Sequence, residues 1–305
     1  MIARLAISAG LALASAATAA GAEPPRVVSL DYCADQYVLA LADPDQILAV
    51  SVQADDAHSA LREEAAGHRQ VRDAAEDVLA LDPDLVVRSY GGDARARNFY
   101  ARLGVPVFDL GYANDFEDIR STIRRTADTL GHPERGEALI ARMDAALDEA
   151  AHGPRLGALY LTPSGVTSGA GTMIHQILAA ANLENLAARG GASGWRALPL
   201  EQLALESPQL VVTAFFDDGS APKDSWAVSD HPVFRRLEAR AGHVALDGAL
   251  TACGAWFMAD AALQARRQAN ALAGGRDEGV DRVSFPVYGP GDRPPARAAR
   301  AGAIP

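Results

Sequence analysis

Residues Glu76–Val87 and Glu201–Val212 align without a gap at an offset of 125 residues. Each copy reads as a short helix, a proline stop (Pro83, Pro208) and an apolar run (Leu85-Val86-Val87, Leu210-Val211-Val212) of the kind found in buried strands. A unit used twice predicts two similar lobes, and two lobes predict a cleft between them. It also puts one glutamate, Glu76 and Glu201, at the same place on each lobe.

The rest of the pattern agrees with an α/β fold. Strands are expected at Arg26–Leu30, Ile47–Val52, Leu85–Arg88 and Val105–Leu110, alternating with helices at Cys33–Ala42, Glu76–Leu81, Asp93–Leu103 and Phe116–Leu130. Such alternation indicates a parallel sheet covered on both faces. Pro133 opens a long helix to about Ala151, with Leu139, Met143 and Leu147 recurring every four residues. At 1.5 Å per residue it spans roughly 28 Å, enough to bridge two lobes. The pattern then restarts: strands at Leu156–Leu161, Leu210–Phe215 and His243–Leu246, helices at Thr172–Ala181, Glu201–Leu205, Val233–Ala241 and Gly254–Leu272. The expected organisation is a signal peptide over 1–22, an N-terminal lobe over 23–132, an interdomain helix over 133–152, a C-terminal lobe over 153–274 and a disordered tail over 275–305.

Arg4, the apolar run Leu5–Ala17 and the small residues Ala20-Gly21-Ala22 form a secretory signal cut after Ala22, with Ala19 as a second site. The run is short for a membrane span, so the mature protein is expected in the periplasm without membrane insertion. The net charge of −11 with no basic cluster argues against nucleic acid. Lys223 is the only lysine, which leaves Schiff-base chemistry almost no candidate.

Hydrolase and phosphate-loop motifs are absent. The seven histidines are scattered without zinc-site spacing, so no bare metal ion or other cofactor is expected. Gly165–Gly171 reads as a tight strand-to-helix connection more than as an anion cradle, and His175 as a structural residue more than as a ligand contact. Aromatics are more informative, because several fall where strands end: Tyr32, Tyr90, Tyr160, Phe215 and Phe216. In parallel sheets these ends face the ligand crevice. Trp195 and Trp256 flank the same region, and Arg88 and Arg196 lie in the same loops, available for anionic groups. The two cysteines, Cys33 and Cys253, in an oxidising compartment are more often a disulfide than free thiols.

With these residues in view, the chain resembles the periplasmic binding proteins of ABC importers that capture cobalamin, ferric siderophores and haem. The resemblance runs from about Arg26 to Leu272. It rests on the Arg26–Leu30 strand, the Leu79–Val87 unit, the Leu103–Val107 turn, Thr167–Gly169 and the Leu203–Val212 unit. It implies two Rossmann-like α/β lobes joined by one long helix, with no enzymatic activity. The implied task is capture of a metal chelate, a ferric siderophore or a corrinoid, by a monomer that delivers it to an ABC permease dimer. Haem carriage by the same fold, or an exported enzyme using the cleft, are the alternatives. The resemblance further implies that Glu76 and Glu201 dock on the permease and that Tyr90 and Trp195 wall the ligand, beside Tyr32, Arg88, Phe215 and Trp256. Asp31-Tyr32-Cys33 departs from the family's usual Ser-Pro-like start after the first strand. If Cys33 and Cys253 both face the cleft, they either staple the lobes or touch the ligand as thiols.

Overall fold

The structure is a computed structural model that describes residues 23–89, 94–199, 201, 207–214 and 231–277. Residues 1–22, where a signal segment is expected, Tyr90, Phe215, Phe216 and the chain beyond Asp277 lie outside the described residues.

Two parallel sheets carry the architecture. The first has the order β3-β2-β1-β4-β5, from Gln70–Val71 (β3), Ile47–Ser51 (β2), Val27–Ser29 (β1), Leu85–Arg88 (β4) and Val107–Asp109 (β5). The second runs β11-β10-β6-β8, from Gly242–Leu246 (β11), Leu210–Ala214 (β10), Leu156–Leu161 (β6) and Leu183–Asn185 (β8). In both, the chain starts in an interior strand and adds neighbours on either side, which creates a switch point, at β1/β4 and at β6/β10. Ligands of open α/β sheets bind outside the carboxyl ends at such points.

The internal repeat is exact in register. Leu85 pairs with Val27 on the first sheet and Leu210 with Ala158 on the second. One residue earlier, the Asp84 N–H donates to the Arg26 carbonyl, and the Gln209 N–H donates to the Gly157 carbonyl. The same sequence unit therefore inserts its strand beside the central strand of each lobe by the same hydrogen bonds. The helix of the first copy is Ala75–Leu79 (α2). Of the second copy's helix only Glu201 is described, and it is helical.

Local signals explain the helix ends. Asp31 caps Tyr32–Leu41 (α1) by accepting the Ala34 N–H at 3.0 Å. A surface helix, Ala94–Arg102 (α3), follows β4. Asp115 caps Phe116–Leu130 (α4), and Gly131, at φ 83°, ends it in the left-handed conformation that a side chain disfavours. Pro133 then opens Pro133–Ala150 (α5). This long helix packs on α4 along one side and on the final helix along the other, so it lies between the lobes as the strut its length predicts. Gly136 makes the first crossing possible, because a Cβ there would stand 2.6 Å from Ala127 Cβ.

Three features differ from expectation. Val166–Ser168 (β7), within the glycine-rich stretch, pairs antiparallel with Trp195–Ala197 (β9), forming a small ribbon rather than a simple turn. Met173–Ala180 (α6) follows, capped by Thr172. After Pro232–Glu238 (α7) and β11, the last helix begins at Met258, not at Gly254, and continues to Asp277, beyond the expected start of the tail.

Candidate functional site

A cavity of about 380 Å³ opens between the lobes. Its N-terminal wall is built by the loops after β1, β4 and β5, which contribute Asp31, Tyr32, Ser89 and Tyr112. Its C-terminal wall comes from the start of α6 (Met173, Ile174), from Trp195 on β9, and from Thr251, Ala252, Cys253, Gly254 and Met258. The volume falls in the range of small-molecule sites, about 300–1,000 Å³.

Asp31 organises the N-terminal wall. While one carboxylate oxygen caps α1, the other accepts the Ser89 N–H at 2.8 Å, tying the β1 loop to the end of β4. Tyr32 follows, half-buried, its phenol pushed up by burial and then by the Asp31 charge, so it stays a neutral hydrogen-bond donor. Below the wall, Asp35 is fully buried and accepts from the Ser51 hydroxyl at 2.6 Å and the Ser51 N–H at 3.0 Å. These bonds anchor α1 to the carboxyl end of β2. Desolvation raises the Asp35 pKa to about 6.

Trp195 is 53% exposed and leans edge-on against buried Tyr160, ring centroids 6.0 Å apart. Tyr160 therefore supports the wall and does not line the cavity. Tyr112, also 53% exposed, faces the cleft from the other lobe. Sequence reasoning missed Tyr112, although it lies just past the carboxyl end of β5, where the rule that singled out Tyr90 and Phe215 would have found it.

Other expected contacts stand elsewhere. Trp256 is 2% exposed and packs edge-to-face on Tyr37 at 5.4 Å and on Phe257 at 5.3 Å. Its ring fills the seam between the lobes rather than walling the cleft, because the chain turns inward there before α8 (Met258–Asp277) starts. The Arg88 side chain is only 14% exposed, and its Nε sits 3.4 Å from Asp109, close enough for ion pairing but out of line for a hydrogen bond. Arg97 reaches the same carboxylate at 3.0 Å. Arg196 turns to the Ala187 carbonyl at 3.2 Å. The two loop arginines expected to meet an anion are thus engaged within the protein. Tyr90 and Phe215 fall outside the described residues. His175 is near Asn185, at 3.3 Å, in a separate depression on the C-terminal lobe.

Cys33 and Cys253 are bonded, with Cα atoms 5.5 Å apart, and both border the cleft. Glu76 and Glu201 are exposed, one at the start of each repeat. Among the described residues, no cluster of three or more His, Cys, Asp or Glu could hold a metal ion, and no helix is long and apolar enough to cross a membrane.

Two α/β lobes, a helical strut and an interlobe cleft define a solute-binding protein. The chain belongs to the periplasmic binding protein family, whose model matches residues 27–249. A vitamin B12-binding protein of Pectobacterium atrosepticum is 27% identical over 208 residues, 64% of this chain and 73% of that protein. A periplasmic heme-binding protein, BhuT, in complex with two hemes shares the fold at a TM-score of 0.64 and 22% identity, over 80% of this chain and 97% of its own. The vitamin B12 binding protein BtuF of Vibrio cholerae does so at 0.60 and 18%, over 82% and 98%.

Proposed function

We propose that this chain captures a corrinoid in the interlobe cleft and delivers it from the periplasm to an ABC import permease. The observation that carries the choice of ligand is the charge of the cleft. Its described lining holds one carboxylate, Asp31, and three phenols, Tyr32, Tyr37 and Tyr112, but no Lys, Arg or His. Haem brings two propionates and a catecholate siderophore brings a net negative charge. Either would meet Asp31 in a partly desolvated cleft, where like charges repel strongly and a buried anion needs a cation. A corrinoid presents mainly uncharged amides at its rim. These amides can donate to Asp31 while the face of the macrocycle packs on the exposed rings of Trp195 and Tyr112. The vitamin B12-binding relative from Pectobacterium supports the same reading.

The protein's task on this reading is binding and release, without covalent chemistry. Glu76 and Glu201, exposed at matching positions of the repeat, are the surface that would meet the permease.

The test is a titration of the mature protein with cyanocobalamin, hemin, a ferric catecholate and a ferric hydroxamate, followed by absorbance and melting temperature. Cyanocobalamin at 100 times its dissociation constant is expected to add about 2.7 kcal/mol of stability. Saturable binding of hemin or a ferric catecholate with no response to cyanocobalamin would overturn the assignment.

A further inference from the structure

The seam beside the cleft is closed in an unusual way for two lobes that already share a helix. Cys33 belongs to α1, which packs on the first sheet, and Cys253 to the loop between β11 and α8. One turn along α1, the Tyr37 hydroxyl donates to the Gly254 carbonyl at 2.8 Å, again from one lobe to the other. Gly254 itself sits against Ala113 of the first lobe, and a Cβ on it would lie 3.1 Å from Ala113 Cβ. These contacts are adjacent along both segments of the chain and border the same cavity.

We propose that the Cys33–Cys253 bond, with the Tyr37–Gly254 hydrogen bond beside it, is a clamp that sets the width of the cleft before ligand arrives. The α5 strut and the packed seam around Trp256 join the lobes, and rotation about them would still change the width at the cleft mouth. A second, covalent attachment at the cleft removes this freedom. Cys33 adjoins Tyr32, so the clamp also holds that phenol at the binding surface. Without it, the lobes sample wider openings, and only the fraction at the competent width binds. Apparent affinity falls by that fraction. The clamp itself is independent of which ligand binds, while its kinetic readout rests on the corrinoid assignment.

The experiment compares wild type with Cys33→Ser/Cys253→Ser and with the better-filling Cys33→Ala/Cys253→Val, each checked for fold by circular dichroism. In ligand-free protein, amide exchange over residues 32–41 and 251–258 is expected to quicken at least tenfold in either variant, if the competent width drops to about a tenth of the population. In stopped flow, cyanocobalamin should bind wild type with a rate linear in concentration. Either variant should show a saturating rate and an affinity weaker by roughly tenfold. Unchanged exchange would overturn the clamp, as would loss of fold in both variants, which would make the bond a folding determinant only. Faster exchange with no cyanocobalamin binding even by wild type would uphold the clamp and sink the corrinoid reading.

Discussion

Asp35 gives the sharpest test of how the N-terminal wall is held. Its carboxyl is fully buried, and burial, opposed by the two Ser51 hydrogen bonds, raises its pKa from 3.8 to about 6. A raised carboxyl pKa means that the folded state binds the proton more tightly than the unfolded chain. The resulting stability is therefore fully present below about pH 4 and is lost as pH rises through about 6. At 1.36 kcal/mol per unit, a shift of about two units corresponds to roughly 3 kcal/mol, given up by pH 7.5. Asp35→Asn is neutral throughout and keeps an acceptor for the Ser51 N–H. Urea unfolding of wild type and variant, disulfide intact, at pH 4, 5, 6 and 7.5 should show the stability difference moving by about 2–3 kcal/mol in favour of the variant as pH rises. Groups common to both proteins cancel in that difference. A constant difference, or one that moves toward wild type, would mean that the Ser51 hydrogen bonds outweigh desolvation and keep the carboxylate ionised.

Trp195→Ala removes an exposed wall residue, so cyanocobalamin affinity should fall tenfold or more, at least about 1.4 kcal/mol, with little change in melting temperature; an unchanged titration curve would take Trp195 out of the site. Glu76→Arg with Glu201→Arg should abolish cobalamin-dependent growth supported by this protein while leaving ligand affinity intact, and a parallel loss of affinity would contradict the docking role. Gly136→Ala forces a methyl to 2.6 Å from Ala127 Cβ at the α4–α5 crossing. It should cost about 1–3 kcal/mol in urea unfolding despite alanine's better helix propensity, and a stabilised variant would show that the crossing can open.

Which parts of the site could be read from sequence follows from the range of the forces involved. Tyr32 and Trp195 were legible because strand ends and turn residues are local signals, and both border the cavity. Trp256 was not, because whether an indole lines a cleft or fills a seam depends on Tyr37, more than two hundred residues away. Arg88 and Arg196 were expected at an anion, yet Asp109 and the Ala187 carbonyl take them up, partners that only folding brings near. The ribbon of β7 and β9 escaped notice for a similar reason: its two strands are short and its pairing spans a helix and a strand.

By itself the sequence determined the repeated lobe and the strut. Hydrophobic periodicity, the capping residues Asp31 and Asp115, and the stops at Pro83 and Gly131 act within a few residues of themselves and need no partner. Tertiary structure alone decided that Cys33 meets Cys253, that the described cleft lining carries an acid and no base, and that Trp256 belongs to the seam. Each of these depends on how two independently wound sheets are set against each other. That arrangement is fixed by packing across the interface, where α5, Tyr37, Ala113 and Gly254 come together, and no local pattern in the chain encodes it.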